Sequence, residues 1–264
     1  MIAVLPSYQK VETGLLPNVP SSEGFVLNIE IAPQQISATV EVAVFKQFLY
    51  LVEFNFSKPL QAEQFVLMCE KLFATEPIFA MDFKEVKVML HAEIDLLPVG
   101  FKQFSGNENM LQLSNETFAL FSDKNGLAEV VKTKFPIAEV TAVGANFLKN
   151  ILPLPKGIYV LVMNEKFSVA ILDAPEKLLL YNTFEFKTIE DFLYFLLLVC
   201  ESTQVNRTES PLVLCGKVQK ESKIYDSCYR YFSNIVFLKP GNGKFYSKAI
   251  SEDLKSIHFS LFSM

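Results

Sequence analysis

Residues 157–186 have the sequence GIYVLVMNEKFSVAILDAPEKLLLYNTFEF, which contains three apolar segments separated by very short connections. The segments are residues 157–163, 166–173 and 177–186. Aliphatic, β-branched and aromatic residues dominate each of them, and this composition is typical of β-strands. Because the connections NE and APE are long enough only for tight turns, we predict a meander of three antiparallel strands.

A capped helix is predicted directly after the meander. Thr188 is the predicted N-cap residue, and Asp191 three residues later gives a capping-box arrangement in which Asp replaces the usual Glu. The body of the helix, FLYFLLLVC at residues 192–200, is apolar on all sides, which predicts burial on more than one side. The further predicted elements are a strand at 211–216, a helix at 221–233 and a strand at 234–239.

The first half of the chain repeats this order of elements, although the halves do not align by residue identity. Its predicted elements are strands at 24–31, 36–44 and 47–56, a helix at 59–73, strands at 84–90 and 117–122, a helix at 125–134, a strand at 138–143 and a helix at 144–151. Between the halves lies LPLPKG (152–157), whose prolines and glycine cannot continue a helix. We therefore expect a loose N-terminal leader at 1–23, a first subdomain at 24–152 and a second at 157–264, with a weakly patterned tail from 240.

The repeated order of elements predicts the fold class. A meander that leads into a helix and a further strand builds a mixed sheet with flanking helices. Two such halves on one chain give an α/β fold with two ribonuclease-H-like subdomains, which is the duplicated plan of the actin-like ATPases.

One stretch of the second half also carries a family resemblance. The segment LLLYNTFEFKTIEDFLYFLLLVCE (178–201), followed by PLVLCGKV (211–218), resembles a bacterial family of uncharacterised proteins, a domain of unknown function with an actin-like fold. The matching residues are Tyr181, Asn182, Phe184, Thr188, Glu190, Asp191, Phe192, Tyr194 and Gly216. The resemblance covers about 24–240 and is specific mainly in 178–218. It implies two actin-like subdomains that face a cleft, and it implies no activity, because this fold serves kinases, chaperone ATPases, filament proteins and scaffold subunits.

The elements with which an actin-like ATPase holds ATP are degraded in this sequence. Such enzymes cradle phosphates on two hairpin turns that contain Asp-x-Gly, where glycine admits the backbone N–H groups and Asp positions Mg²⁺ or water. The corresponding turns here contain Gln34 and Asn164, without Asp or Gly, and a third element beneath the adenosine keeps only Gly216. If a nucleotide binds, Gln34, Asn164, Lys166 and Gly216 are the residues expected to hold it; otherwise Lys166 is a solvated turn residue and Gly216 a strand-to-loop turn.

Two other polar residues are candidates for the cleft. Asn182 lies in an apolar strand, where it is either a turn or bulge residue that ties the strand to the following helix or a contact to a ligand or partner. Asp191 is better explained by helix capping than by general-acid chemistry. Other catalytic patterns lack support, since the only histidines, His91 and His258, neighbour no GxSxG turn, and no P-loop or GxGxxG motif occurs.

Composition narrows the function further. Half of the 264 residues are apolar, so the chain can bury a core, and its net charge of −5 disfavours a general nucleic-acid binder. The four cysteines form no CxxC pair, so we expect buried free thiols and no metal site. MIAVLPSYQK at the start has no basic region, and no apolar run reaches about 20 residues, so we expect no signal peptide, no membrane insertion and a cytoplasmic location.

The C-terminal region has its own charge pattern. Residues 217–255 contain eight Lys or Arg and four Asp or Glu, a local net charge of +4. This is either a solvated surface or a docking face for an acidic partner or RNA. The final residues, FSLFSM (259–264), are apolar and are expected to form an edge strand or a contact with another chain.

Together these features predict a non-enzymatic protein-interaction or scaffold module on a degenerate actin-like fold, without ATP turnover and without a cofactor. Its expected partner is an unknown protein, and a homo-oligomer is compatible with the sequence. The first alternative is a nucleotide-binding protein or very slow ATPase that uses the cleft between the subdomains. The second alternative is an RNA-associated accessory factor that uses residues 217–255.

Overall fold

The structure is a computed structural model that describes residues 7–17, 24–98, 109–114, 117–241 and 243–264. Its strands are β1 (Tyr8–Gly14), β2 (Phe25–Ala32), β3 (Gln35–Val42), β4 (Gln47–Phe56), β5 (Glu85–Leu90), β6 (Ile94–Pro98), β7 (Asn109–Gln112), β8 (Thr117–Phe121), β9 (Ala138–Ala142), β10 (Gly157–Val162), β11 (Lys166–Ala174), β12 (Lys177–Glu185), β13 (Leu212–Gly216), β14 (Ile235–Phe237) and β15 (Phe245–Tyr246). Its helices are α1 (Ala62–Thr75), α2 (Leu127–Lys134), α3 (Val143–Ile151), α4 (Ile189–Ser202), α5 (Lys223–Tyr229), α6 (Glu252–Ile257) and α7 (Phe259–Phe262).

The second half forms one mixed sheet, called the second sheet below. Its strand order is β12-β11-β10-β13-β14. The meander is antiparallel, whereas β13 and β14 run parallel to β10. Parallel neighbours need a crossover, and α4 and α5 provide the two crossovers. Both helices pack on one face, around a core that includes Phe167, Phe192 and Cys228.

The first sheet repeats the same plan with additions at its edge. Its order is β1-β4-β3-β2-β5-β9, with β15 parallel to β4. Again the meander β2–β4 is antiparallel, and β5 and β9 run parallel to β2. Helices α1 and α2 cover one face over a large apolar core. The predicted element order of both halves is therefore confirmed.

Helix α3 and the C-terminal segment, defined as residues 245–264, lie between the two sheets. Phe147 and Leu148 of α3 share a buried cluster with Met89 of the first sheet, Tyr159 of the second sheet and Phe259 of the segment. The faces of both sheets that point away from α1, α2, α4 and α5 are thus covered by the same two elements.

The expected loose leader at 1–23 is corrected in part, since Tyr8–Gly14 is strand β1. It pairs along its whole length with β4. Tyr8 packs its ring edge-to-face against Phe54 at 5.5 Å, while Lys10 and Glu12 stay at the surface. A solvent-facing edge strand needs few apolar residues, which explains why its sequence lacks a strand-like apolar pattern.

The tail from residue 240 is also different from its expectation. It contacts both halves, because β15 joins the first sheet, α7 contacts β2 and β3, and α6 and α7 also contact β13 of the second sheet. The terminal FSLFSM is not an edge strand: Phe259–Phe262 is the helical turn α7, and Phe259, Leu261 and Phe262 are almost completely buried.

An insertion in the first half forms a third small sheet, with strand order β6-β8-β7. The strand expected at 117–122 is confirmed as β8. Before β8 lies a polar stretch that starts at residue 103. Its residues Asn109–Gln112 form β7, and residues 103–108 lie outside the described part of the chain.

The four cysteines are buried free thiols, as predicted. In the described ranges, no helix combines the length and apolar character that crossing a membrane requires.

Candidate functional site

The two hairpin turns that correspond to phosphate loops lie opposite each other between the two sheets. Gln34, in the β2–β3 turn, places its Nε2 3.5 Å from Oε1 of Glu165 in the β10–β11 turn. Behind this contact is a cavity of about 270 Å³. Its lining includes all four residues expected from sequence to surround a nucleotide: Gln34, Asn164, Lys166 and Gly216.

Gly216 is required by the backbone, whatever occupies the cavity. It ends β13 with φ +83°, and a Cβ there would lie 2.2 Å from the carbonyl oxygen of Val162. The close approach allows the N–H of Lys217 to donate to the same oxygen at 2.8 Å. The strand-to-loop interpretation therefore accounts for this glycine.

The two polar residues of the second turn are not arranged for phosphate. Asn164 is exposed at the tip of the turn. Lys166 has Nζ 2.9 Å from Oε1 of Glu185 on β12, so a carboxylate already faces its charge. Glu165, between them, adds a negative charge at the mouth of the cavity.

A group of buried ionisable residues lies beside the cavity. Nε2 of His91, directly after β5, lies 2.7 Å from Oε1 of Glu30 on β2. Lys217 donates through Nζ to Oε1 of Gln35, and Gln35 donates through Nε2 to Glu53 on β4. The hydrogen bond from Lys217 to Gln35 connects the end of β13 with the first sheet, so this cluster joins the two halves.

His258 brings the C-terminal segment into the same cluster. Its side chain is 3% exposed, and its Nε2 lies 3.3 Å from Oε1 of Glu53. The pair is at ion-pair distance but is not aligned as a hydrogen bond, and Nε2 makes no other hydrogen bond. His258 also lines the cavity, which gives that cavity one unsatisfied nitrogen.

Burial and charge act in opposite directions on the pKa values of this cluster. For Glu30 and Glu53 burial alone would raise the pKa, but the contacts with His91 and His258 and nearby positive charge leave both pKa values below the usual one. For Lys217 burial lowers the pKa, against the opposing effect of Glu30 and Glu53. The ionised carboxylates therefore stabilise the folded protein.

We expect stability to depend on these carboxylates in acid. Because the pKa of Glu30 is lower when folded than when unfolded, the folded state binds fewer protons, so its stabilising effect is complete above pH about 4.5 and is lost as pH falls below that. Glu30→Gln should have a shallower decline of the free energy of unfolding between pH about 5 and 3, measured by urea titration. The exposed Glu93→Gln is the control and should keep the wild-type slope; an unchanged slope in Glu30→Gln would contradict the assignment.

The site holds a histidine–carboxylate pair, His91 and Glu30. No Ser, Thr or Cys hydroxyl or thiol is hydrogen-bonded to His91 or His258 among the described contacts. Within the same part of the chain, no three His, Cys, Asp or Glu side chains come together in a way that could hold a metal ion.

The sequence analysis did not identify Glu30, Glu53, His91 or His258 as a cluster. A signal for part of it was present. Polar residues recur with period two in apolar strands, at Asn28 and Glu30 on β2 and at Ser37, Thr39 and Glu41 on β3. This alternation marks a second, polar face. It does not show which element covers that face, and the covering segment lies more than 200 residues away in sequence.

The other two candidates do not line this cavity, but Asn182 lines an adjoining one that it shares with His91 and Lys166. Asp191 caps α4, as predicted: its Oδ2 accepts from the N–H groups of Lys187 and Thr188, and its own N–H donates to Thr188 Oγ1 at 3.1 Å. These bonds lower the pKa of Asp191. Asn182 is neither a turn residue nor buried. It is exposed on β12, where its Oδ1 accepts from the N–H of Thr183 at 2.8 Å.

The basic residues of 217–255 do not form one surface. Lys217 lies in the cluster, and Lys244 is buried beneath the C-terminal segment, where Nζ donates to the carbonyl oxygen of Met264 at 3.1 Å. Lys239 and Lys255 both contact Glu252. Fewer basic side chains are therefore exposed and unpaired in this region than the sequence indicates.

Comparisons with known proteins agree with this architecture. Residues 107–235 match the sequence profile of a family described as a protein of unknown function, DUF3822. Among solved structures, a protein from Bacteroides thetaiotaomicron VPI-5482 with actin-like ATPase fold and unknown function aligns with TM-score 0.69 and 16% identity, over 82% of this chain and 91% of that chain.

A second similar structure is the ethanolamine utilization protein EutJ from Carboxydothermus hydrogenoformans. It aligns with TM-score 0.53 and 8% identity, over 94% of this chain and 91% of that chain. No curated protein matches the sequence. At these identities the structural matches show the fold alone. The chain therefore has the actin-like ATPase fold, with the match to the DUF3822 family over residues 107–235, and the resemblance stated from its sequence is confirmed.

Proposed function

We propose that this chain is a protein-interaction or scaffold module that uses an actin-like fold without turning over ATP. Its partner is another protein, either a different chain or a second copy of this one, and its place of action is the cytoplasm. Fold similarity alone does not distinguish this role from that of an ATPase, but the residues around the cavity support it.

The observation that carries the proposal is the contact between the two turns. A nucleotide in this fold would place its phosphates between them, where Gln34 now meets Glu165 at 3.5 Å. The carboxylates of Glu165 and Glu30 line the same cavity and offset the charges of Lys166 and Lys217, so the Glu and Lys residues of the lining give phosphates no net positive charge.

The outer face of α4 supports an interaction role. Tyr194 is 61% exposed and Leu198 is 43% exposed, although the helix is apolar enough to predict burial on more than one side. Leu179 on the neighbouring strand β12 is exposed as well. Adjacent exposed apolar side chains are typical of surfaces that contact a partner.

The test of the proposal is a thermal-shift titration with ATP and ADP in the presence of Mg²⁺. We expect no change in Tm at millimolar nucleotide. A ligand at 100 times its Kd would stabilise by about 2.7 kcal/mol, which for this size corresponds to a shift of roughly 5–10 °C. Lys166→Ala is the matched variant: a shift of that order that disappears in Lys166→Ala would place a nucleotide in the cavity and overturn the proposal.

One observation favours the second candidate, nucleotide binding or very slow hydrolysis in the cleft. The four residues expected to surround a nucleotide do line a single cavity. For this candidate the Gln34–Glu165 contact has to open, so it also predicts that Glu165→Ala binds ATP more tightly than the wild type does.

A further inference from the structure

Three aromatic rings form a stack at the β14 edge of the second sheet. Tyr225 and Tyr229 of α5 have ring centroids 6.1 Å apart and planes inclined by 30°. Tyr225 also stacks on Phe237 of β14, at 5.8 Å and 23°. The stack therefore runs from the strand to the end of the helix, and Tyr229 is its outermost member.

The outer end of this stack is open to solvent. Tyr229 is 69% exposed, and Tyr231, two residues later, is 44% exposed. The packing of α5 on the sheet depends on Cys228 and on the partly buried Ile224 and Tyr225. Since the ring of Tyr229 is mostly outside that core, its contribution to folding is small and its aromatic face is available to a ligand.

Three basic residues lie in α5 or directly beside it, together with the acidic Glu221 and Asp226. Lys223 is the first residue of α5, Arg230 directly follows Tyr229, and Lys220 lies in the preceding turn; all three are exposed. Within the described ranges, none of the three makes an ion pair. Residues 220–239 contain four Lys or Arg and two Asp or Glu, which is +2, so the rest of the −5 chain carries −7. The segment that carries the stack is thus more positive than the rest of the chain, although Lys239 is paired with Glu252.

An exposed ring stack beside unpaired cations matches the chemistry of single-stranded nucleic acid. Bases stack on aromatic side chains, and phosphates contact Lys and Arg. A duplex offers its bases no access to the ring face, whereas a single strand supplies both bases for the rings and phosphates for the cations. We propose that Tyr229 and Tyr231, with Lys223 and Arg230, bind single-stranded nucleic acid at the β14 edge, a function separate from the interaction role of the fold.

The test uses the full chain and fluorescence anisotropy with labelled oligouridine of about 12 nucleotides, since comparable stacking sites cover roughly 4–16. We expect binding at low salt that weakens as the salt concentration rises. Lys223→Ala and Arg230→Ala each remove one phosphate contact, so each should reduce the slope of the logarithm of the binding constant against the logarithm of the salt concentration by about 0.7. Tyr229→Ala should weaken binding by about 5- to 100-fold. Tyr229→Phe keeps the ring and should bind like the wild type.

The matched control is Tyr194→Ala on α4. Tyr194 is about as exposed as Tyr229, but its helix carries Glu190, Asp191 and Glu201 in place of cations. It should bind oligouridine like the wild type. Equal losses in Tyr194→Ala and Tyr229→Ala, no binding by the wild type at low salt, tighter binding of duplex, or displacement of the oligonucleotide by ATP would each overturn the proposal. A single-stranded DNA of the same length distinguishes RNA from DNA as the ligand. Equal affinity for the two would show that the site binds single strands in general, and weaker affinity for the DNA would show a preference for RNA.

Discussion

Replacing Phe262 with alanine is expected to lower the free energy of unfolding by about 3–5 kcal/mol, as for other fully buried phenylalanines. The ring is completely buried and packs edge-to-face on Phe48 of β4, with centroids 4.8 Å apart. It also contacts Tyr246 at 5.3 Å in the same geometry. At about 2–4 °C per kcal/mol for a chain of this size, Tm should fall by roughly 6–20 °C in calorimetry.

Phe245→Ala is the control that tests whether burial of the side chain, and not its position in the tail, determines the loss of stability. Phe245 belongs to the same C-terminal segment and the same sheet edge, but it is 62% exposed. Its replacement should change stability by less than about 0.5 kcal/mol, as is usual at the surface. Equal losses in the two variants would show that the tail is not anchored by α7.

The large effect expected at Phe262 follows from what the segment covers. Asn28, Thr39 and Glu41 on the first sheet are buried although polar. Lys244 is held below the segment by hydrogen bonds to the carbonyl oxygens of Phe262 and Met264, and burial lowers its pKa to about 8. Without the apolar contacts of α7, the desolvation of these groups would have no compensation.

The fold could be predicted from sequence because the signals for its strands and helices lie within short segments of the chain. Strand alternation, the proline-containing break at 152–157 and the Thr188–Asp191 capping box each act within a few residues, and the repeat of element order then supplied the duplicated architecture. The same reasoning identified Gln34, Asn164 and Gly216 as neighbours, because equivalent turns of two equivalent halves face each other.

The cluster beside the cavity could not be predicted in this way. Glu53 and His258 are separated by about 200 residues, and their contact depends on how a weakly patterned tail crosses the first sheet. The helices of that tail have six and four residues, too short for a period to be recognised. Strand β1 was missed for a related reason, since its pairing with β4 uses backbone groups that any sequence provides.

The second large effect is expected at Gly216. An alanine there must adopt φ near +83°, which for residues other than glycine costs about 1–2 kcal/mol. In addition, its Cβ would lie 2.2 Å from the carbonyl oxygen of Val162 and 3.0 Å from Cδ1 of Leu161. The first of these atoms is backbone in the central strand β10, so it cannot move aside without disturbing the parallel pairing with β13.

We therefore expect Gly216→Ala to lower the free energy of unfolding by about 3 kcal/mol or more, the sum of the conformational cost and the displacement of β10. Gly126→Ala is the control for the conformational part, because Gly126 has φ +69° and no atom within 4 Å of an added Cβ. It should lose only about 1–2 kcal/mol in a urea titration. A loss in Gly216→Ala no greater than that in Gly126→Ala would show that β10 and β13 separate easily. The glycine would then need another explanation, such as contact with a ligand in the cavity.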